Sequence, residues 1–358
     1  MLHPIPKLPK HTDKIWLDIP DIPLKILPLS ADIRYTTVAS VIDHLLQHFA
    51  HSITSGTAQN QELFPSVEEF FHSIQNSDRI YKASLSRQVA ADFPPDIEQT
   101  SFKDEAKDWF IKTADFGDEY DRVLQHRDGE FTQLLEDIAH YHQIFQQGYD
   151  KIILLRPPTY TGYDIQLTAA MQCLGYTKEQ FQFIIVQPIK LYAFHKANQK
   201  IHPLPDLATE ELISAIGMDA LRWYSLCTPL TSIAPINIST AGQANDSLHR
   251  VQSAHFRCCT LLQQAKQEIG AEVCPPLPIA EKLDSLLQSV PKILEQSANE
   301  IAPHLVTQHL EAISETCHQW LDSLSLTPPD STLLLATKQT IFDLLVNILD
   351  ITAPEPSN

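Results

Sequence analysis

Apolar positions follow two rhythms along this chain, and the rhythm changes near residue 207. Before that point, short runs of strand length (Leu24–Leu27, Lys151–Leu155 and Phe181–Val186) alternate with segments of helical spacing at 38–46, 132–147 and Tyr163–Leu174. Beyond it, helical spacing is nearly continuous, interrupted where prolines fall near 275–278, 291, 303 and 328–329. The pattern predicts an α/β layer followed by an all-α region.

Within the first region, residues 1–30 are proline-rich, with prolines at 4, 6, 9, 20, 23 and 28, which predicts extended chain around a strand at Leu24–Leu27. A helix is expected to start at Ser30-Ala31-Asp32. Residues 52–62 read as a loop, and residues 66–112 as short amphipathic helices broken at Pro94-Pro95. A strand–turn–strand is expected over 115–131, around Arg127-Asp128-Gly129, with a helix following. Strand, helix and strand from Lys151 to Val186 make one βαβ unit, right-handed within a parallel sheet. The expected domains are an α/β core at 1–206, a helical connector at 207–244 and a helical bundle at 245–358.

Composition narrows the classes. A hydrophobic fraction of 43% excludes wholesale disorder, and 9 glycines against 25 prolines argue against a glycine-rich barrel. The formal net charge of -18 disfavours a polyanionic partner unless the basic residues cluster. Cys173, Cys227, Cys258, Cys259, Cys274 and Cys317 show no C-x-x-C spacing, which predicts free thiols in a reducing compartment. Met1–Lys7 has no signal-peptide core, and the apolar runs are too short for a membrane span. The expectation is a soluble cytoplasmic protein with no membrane contact and no metal. His140 and His142 lie on different faces of one helix and do not have the i, i+4 placement of paired ligands.

One string changes the picture. Gly217-Met218-Asp219-Ala220-Leu221-Arg222-Trp223-Tyr224 opens the helical region. Ahead of it, in order, come Ala114-Asp115-Phe116-Gly117-Asp118, Arg127-Asp128-Gly129, Gly148-Tyr149-Asp150, Gly162-Tyr163, Leu174-Gly175-Tyr176 and Val186-Gln187. Behind it come Val251-Gln252, Ala254-His255, Arg257 and Ala353-Pro354-Glu355. In this order the segments resemble the second half of bacterial-type arginyl-tRNA synthetases, and Ile33-Arg34 with Thr36-Thr37-Val38 extends the resemblance more loosely toward the N-terminus. The resemblance implies a reduced Rossmann-like class I synthetase core followed by an α-helical anticodon-binding bundle, without the family's N-terminal additional domain. It also implies tRNA, arginine tRNA in particular, as the partner.

The residues at the family's catalytic positions do not fit amino-acid activation, which needs cations and donors around ATP phosphates. Leu29-Ser30-Ala31-Asp32 stands where the family has His-x-Gly-His. Asn198-Gln199-Lys200-Ile201-His202 stands where it has a Lys-Met-Ser-Lys-type loop, with Pro203 and Pro205 in place of flexible glycine. Arg156-Pro157-Pro158-Thr159-Tyr160-Thr161-Gly162-Tyr163 replaces a Trp-Gly-Ala-Asp-His-His-Gly-Tyr run that holds the nucleoside, and proline there fixes φ and removes an N–H. Losing one charge-stabilising donor costs about a hundredfold in rate.

No catalytic residue is therefore assigned. Asp137, Gly162, Tyr163 and Gln187 are expected to mark a vestigial substrate and nucleotide pocket. Asp137 holds the position that would grip an arginine guanidinium, and it also reads as a helix-surface carboxylate. Gly162 and Tyr163 read as a strand-to-helix turn with an aromatic packed beneath. Asp219–Arg222 reads as structural, with the arginine bracing neighbouring helices. Arg250, Gln252, His255 and Arg257 are candidate tRNA contacts, although acidic residues outnumber basic ones across 245–358. Trp320 and Cys258-Cys259 read as core. The expected function is a non-catalytic arginyl-tRNA synthetase paralogue without cofactor. It would bind tRNA, the true synthetase or a tRNA-modifying protein. Two alternatives stay open. One is a divergent ATP-dependent ligase using Lys196, Lys200 and Arg156 as phosphate contacts. The other is a protein-interaction scaffold without RNA.

Overall fold

The computed structural model describes residues 13–18, 29–49, 52–56, 66–84, 107–160, 162–195, 200–244, 246–265, 278–324 and 330–356. Its elements begin with β1 (Lys14–Asp18), α1 (Leu29–His48), β2 (Ser52–Gly56), α2 (Val67–Ile74), β3 (Ile80–Ala83), β4 (Asp108–Ile111) and β5 (Arg122–Gln125). Next come α3 (Gln133–Gln146), β6 (Lys151–Arg156), α4 (Tyr163–Cys173), β7 (Phe181–Ile185), β8 (Ile189–His195), β9 (Lys200–Pro203), α5 (Thr209–Ile216) and α6 (Met218–Leu226). The last are β10 (Ala234–Asn237), α7 (Ser247–Ala265), α8 (Pro278–Glu300), α9 (His304–Ser323) and α10 (Ser331–Phe342). The mixed α/β part and the helical bundle agree with the expected fold class. Contacts divide the chain into two compact units, Asp13–Asp21 with Thr54–Phe183, and Met1–Thr12 with Ile22–Ile53 and Ile184–Asn358.

The first unit is organised by a sheet of order β2-β1-β6-β7, with β1 parallel to β6 and Asp18 opposite Leu154. Residues Ile152 to Arg156 of β6 are all buried, and burial on both faces is why this strand reads as a continuous apolar run. Thr132 caps α3 by accepting from the Leu135 N–H, and Leu134, Leu135, Ile138, Tyr141, Ile144 and Phe145 form its buried stripe. A second sheet, β3-β4-β5, is antiparallel.

Several expectations change here. Leu24–Leu27 and Pro94-Pro95 lie outside the described residues, and the first strand described is Lys14–Asp18. Ser52–Gly56 is a strand and not a loop, because sheet pairing overrides its polar composition. The span 66–112 holds α2, but then β3 and β4, whose Ile80, Phe110 and Ile111 enter the core. Over 115–131 the strand pair is replaced by β5 and a single bridge from Gln125 to Phe131 around the turn at 127–129.

In the second unit, β8 pairs parallel with β10 and antiparallel with β9. Arg34 on α1 is fully buried at 0% exposure, and its guanidinium is held by backbone carbonyls and a hydroxyl. Its Nε donates to the Ser225 carbonyl at 3.1 Å, Nη1 to the carbonyls of Gln187 and Ser232, and Nη2 to Thr228 Oγ1 and the Pro229 carbonyl. Burial pulls its pKa down to about 10, so it is charged at neutral pH. These bonds account for α1 belonging to the same unit as the helices that follow.

The bundle α7–α10 closes around Trp320, Leu310, Ile313, Leu334 and Ile341, so Trp320 is a core residue as expected. Cys258 and Cys317 meet there with sulfurs 3.7 Å apart, and the five described cysteines are free thiols, Cys274 lying outside the described residues. Pro291 does not break the chain as its residue type predicts. It sits inside α8, where Val290 and Leu294 are buried and packing against α9 offsets the lost N–H bond.

Candidate functional site

The order β2-β1-β6-β7 places β1 and β6 side by side at the centre, with the strand order running outward in opposite directions from them. The crevice at the carboxyl ends of such a central pair is where α/β sheets bind ligands. The last residues of the two strands, Asp18 and Arg156, meet there. Arg156 Nη1 lies 2.8 Å from Asp18 Oδ2, with side chains only 8% and 3% exposed. Tyr141 of α3 donates its hydroxyl to Asp18 Oδ2 at 2.9 Å and accepts from Arg156 Nη2 at 2.6 Å. Burial works against the Arg156 charge, yet Tyr141 and Asp18 outweigh it and raise its pKa. Burial, with Asp18 beside it, also holds the Tyr141 hydroxyl well above its usual range. The guanidinium is thus neutralised by its own chain.

Asp137 lies one turn before Tyr141. Its carboxylate accepts from Gln133 Nε2 at 2.9 Å and from the Tyr163 hydroxyl at 2.7 Å. Burial raises its pKa against those two bonds. The structure therefore brings Asp137 and Tyr163 into contact. Gly162, next in sequence to Tyr163, takes φ +103 at the start of α4, a conformation that favours glycine. Gln187 belongs to the other unit, where its N–H donates to the Leu230 carbonyl and its own carbonyl accepts from Arg34.

The other two signature positions are also located. Leu29 to Asp32 form the first turn of α1, as the resemblance places them. Residues 196–199, including Lys196, lie outside the described residues, and they join β8 to β9 with His195 paired to Lys200. A cleft of about 130 Å³ in the second unit is lined by Thr37, Ser40, Met218, Arg222 and Leu349. That is well under the roughly 300 Å³ at which small-molecule pockets begin.

Among the imidazoles, burial lowers the pKa of His140, His142, His255, His304 and His309. A folded-state value below the unfolded one contributes stability that is present above the ordinary imidazole value of 6.5 and lost as pH falls through the folded value. The melting midpoint is accordingly expected to drop on acidification from pH ~7 to ~5.5, as the unfolding free energy falls by up to about 1.4 kcal/mol per pH unit for each proton taken up on unfolding. A flat midpoint over that interval would contradict the burial of these rings. Asp137 and Asp219, raised by burial, act with the opposite sign in a window that opens at 3.8.

The helical unit explains the Asp219–Arg222 string. Arg222 Nη2 pairs with Asp350 at 2.8 Å, and Asp219 accepts from the Thr352 N–H and hydroxyl. Gln252 donates to the Thr352 carbonyl at 2.8 Å and His255 Nδ1 to the Pro354 carbonyl at 3.0 Å. Lys338 pairs with Glu355 at 2.9 Å. The string therefore clasps the segment after residue 349, a strap, with Arg222 holding Asp350, and Arg222 also lines a cleft with Thr36, Thr37 and Ser40 of α1. Asp219→Ala is expected to cost about 1–2 kcal/mol and to raise amide exchange at Ile351 and Thr352 selectively. Unchanged exchange there would sink the clasp.

Of the candidate RNA contacts, Gln252 and His255 are engaged with the strap, and Arg257 donates to His318 Nδ1 at 2.9 Å and to Asp322 at 2.7 Å. Arg250 is exposed on α7.

The family profile described as the DALR anticodon binding domain matches residues 251–356, the span of this bundle and strap. An arginine–tRNA ligase of Oceanobacillus iheyensis is 32% identical over 272 residues, 71% of this chain and 49% of that protein. The chain is an arginyl-tRNA synthetase homologue. A second relative, the arginine–tRNA ligase of a Synechococcus species, is 26% identical over 81% of this chain and 52% of its own length. The chain thus spans about half the length of these synthetases. The solved arginyl-tRNA synthetase of Thermus thermophilus superposes with a TM-score of 0.71 at 12% identity, covering 99% of this chain and 84% of that one. A methionyl-tRNA synthetase of Mycobacterium tuberculosis reaches 0.63 at 9% identity, over 95% of this chain and 90% of that one. Structural likeness at these identities reports the synthetase fold alone.

Within this synthetase homologue, the residue types found at the crevice were only half legible. Arg156 stands out in the sequence only under the ligase alternative, as a phosphate contact. Asp18 and Tyr141 were missed because Asp18 lies in a strand that flanking prolines disguise, 123 residues from Tyr141. No helix among the described residues is long and apolar enough to cross a membrane.

Proposed function

We propose that this synthetase homologue does not activate arginine and binds tRNA, arginine tRNA in the first instance, through its DALR domain. The observation that carries the first half is the Asp18–Arg156–Tyr141 cluster. It fills the ligand crevice with an internal ion pair and removes Arg156 from the cations available to phosphate. Asp137, Gly162, Tyr163 and Gln187 are, on this reading, the remains of a pocket, with Asp137 satisfied by Gln133 and Tyr163. The second half is supported by the matched anticodon-binding domain. Arg250 supplies the exposed cation, and Gln252, His255 and Arg257 shape the surface around it by holding the strap and α9.

Two assays on the purified chain test the halves separately. Arginine-dependent ATP–pyrophosphate exchange is expected to stay at background, and clear turnover defeats the non-catalytic half. Gel shifts with arginine tRNA across a salt series are expected to give binding that weakens as salt rises. Absence of binding at low salt removes RNA as the partner. It leaves either a synthetase or tRNA-modifying protein as the partner, or the protein-interaction scaffold without RNA, which the -18 net charge supports.

A further inference from the structure

We infer that His255, Cys259 and Glu355 form a binding site for a borderline divalent metal ion of the zinc class, which staples the C-terminal strap to α7. His255 and Cys259 are one helical turn apart on α7, and both are buried, at 0% and 4% exposure. The Pro354 carbonyl only accepts, so the 3.0 Å bond from His255 fixes the proton on Nδ1 and leaves the Nε2 lone pair for a metal. Cys259 Sγ lies 3.7 Å from Nε2 and 3.8 Å from Nδ1, so the thiol already touches this imidazole and turns about its own side-chain bond toward the Nε2 lone pair when the metal binds. The bond that sets the tautomer also delivers the third ligand, because Glu355 follows Pro354. One donor atom from each residue falls within 4.8 Å of the others. Glu355 is exposed, which leaves a fourth position to water.

A cation already occupies part of this place. Lys338 Nζ lies 2.9 Å from Glu355 Oε1 and also bonds to Cys259. It is a long side chain, 27% exposed, and it swings out when the metal enters. On binding, the Cys259 thiol loses its proton to solvent and the sulfur–metal bond forms, with no change in oxidation state. The donor set of one imidazole, one thiolate and one carboxylate selects zinc or cobalt over magnesium and calcium. Sequence spacing conceals the site, since His255 and its carbonyl partner are 99 residues apart. The assignment stands apart from the question of catalysis.

The test is cobalt(II) titration of the full chelator-stripped chain, followed by thiolate-to-cobalt charge-transfer absorption, with zinc competition against a chromophoric chelator. One equivalent is expected to bind with a thiolate band. Cys259→Ser should abolish the band. Glu355→Gln, at an exposed position that does not threaten folding, should weaken zinc at least about tenfold. Lys338→Met should tighten binding, because the competing ammonium is gone. Cobalt bound without a thiolate band, or affinity unchanged in Cys259→Ser or Glu355→Gln, means an adventitious ion only and overturns the site. Failure of Lys338→Met to tighten binding overturns it as well.

Discussion

Replacing Arg34 by methionine is expected to destabilise the second unit by about 3–5 kcal/mol or more. The side chain has 0% exposure and holds Ser225, Gln187, Ser232 and Pro229 by their carbonyls, together with the Thr228 hydroxyl. Methionine fills much of the volume but donates nothing, so buried acceptors lose their partners at about 1–3 kcal/mol for each that water cannot reach. Lysine keeps the charge but offers three donors in place of five, and is expected to fall between the two. Urea unfolding followed by tryptophan fluorescence measures the effect. Trp223 and Trp320 report on this unit, while Trp16 and Trp109 belong to the other. An unchanged denaturation midpoint in Arg34→Met would show that the carbonyl cluster does not organise α1.

The second large effect concerns the crevice. Asp18→Leu and Arg156→Met are each expected to cost about 3–5 kcal/mol, because each leaves a buried polar partner uncompensated. The double replacement Asp18→Leu with Arg156→Met should cost less than the sum, since a well-packed apolar pair removes both desolvation penalties. Tyr141 then lacks its acceptor, so some loss persists. A double-mutant cycle on unfolding free energy reads the coupling directly. Strict additivity would mean that the 2.8 Å contact contributes nothing, and the crevice would lose its internal plug. None of these replacements should raise arginine-dependent exchange, because the remaining signature positions also lack the required donors.

How much was legible depended on whether a residue's neighbours lie in its own element. α3, β6 and α4 follow from local periodicity and end signals. Thr132 opens one helix, and Gly148 at φ +80 and Gly175 at φ +94 stand just beyond helix ends. The core placement of Trp320 and of Cys258 follows from the same stripe logic. β1, β3 and β4 escaped notice because their sequences are short and mixed, and only the neighbouring strand makes them strands. Pro291 misled for the complementary reason: local chemistry predicts a break, and packing on α9 carries the helix through it.

The same division holds for the chemistry. By itself, the sequence determined the ancestry, through the ordered motifs around Asp219–Arg222, and which residue types stand at the signature positions. Tertiary structure alone decided what those residues do. It turned Arg156 from a phosphate contact into half of a buried ion pair, and turned Asp219, Arg222, Gln252 and His255 into the holders of a strap. The physical reason is range. Helical periodicity is set by residues three or four apart, whereas the worth of a charge is set by whatever carboxylate, carbonyl or water surrounds it, and for Arg156 and His255 those partners arrive from distant parts of the chain.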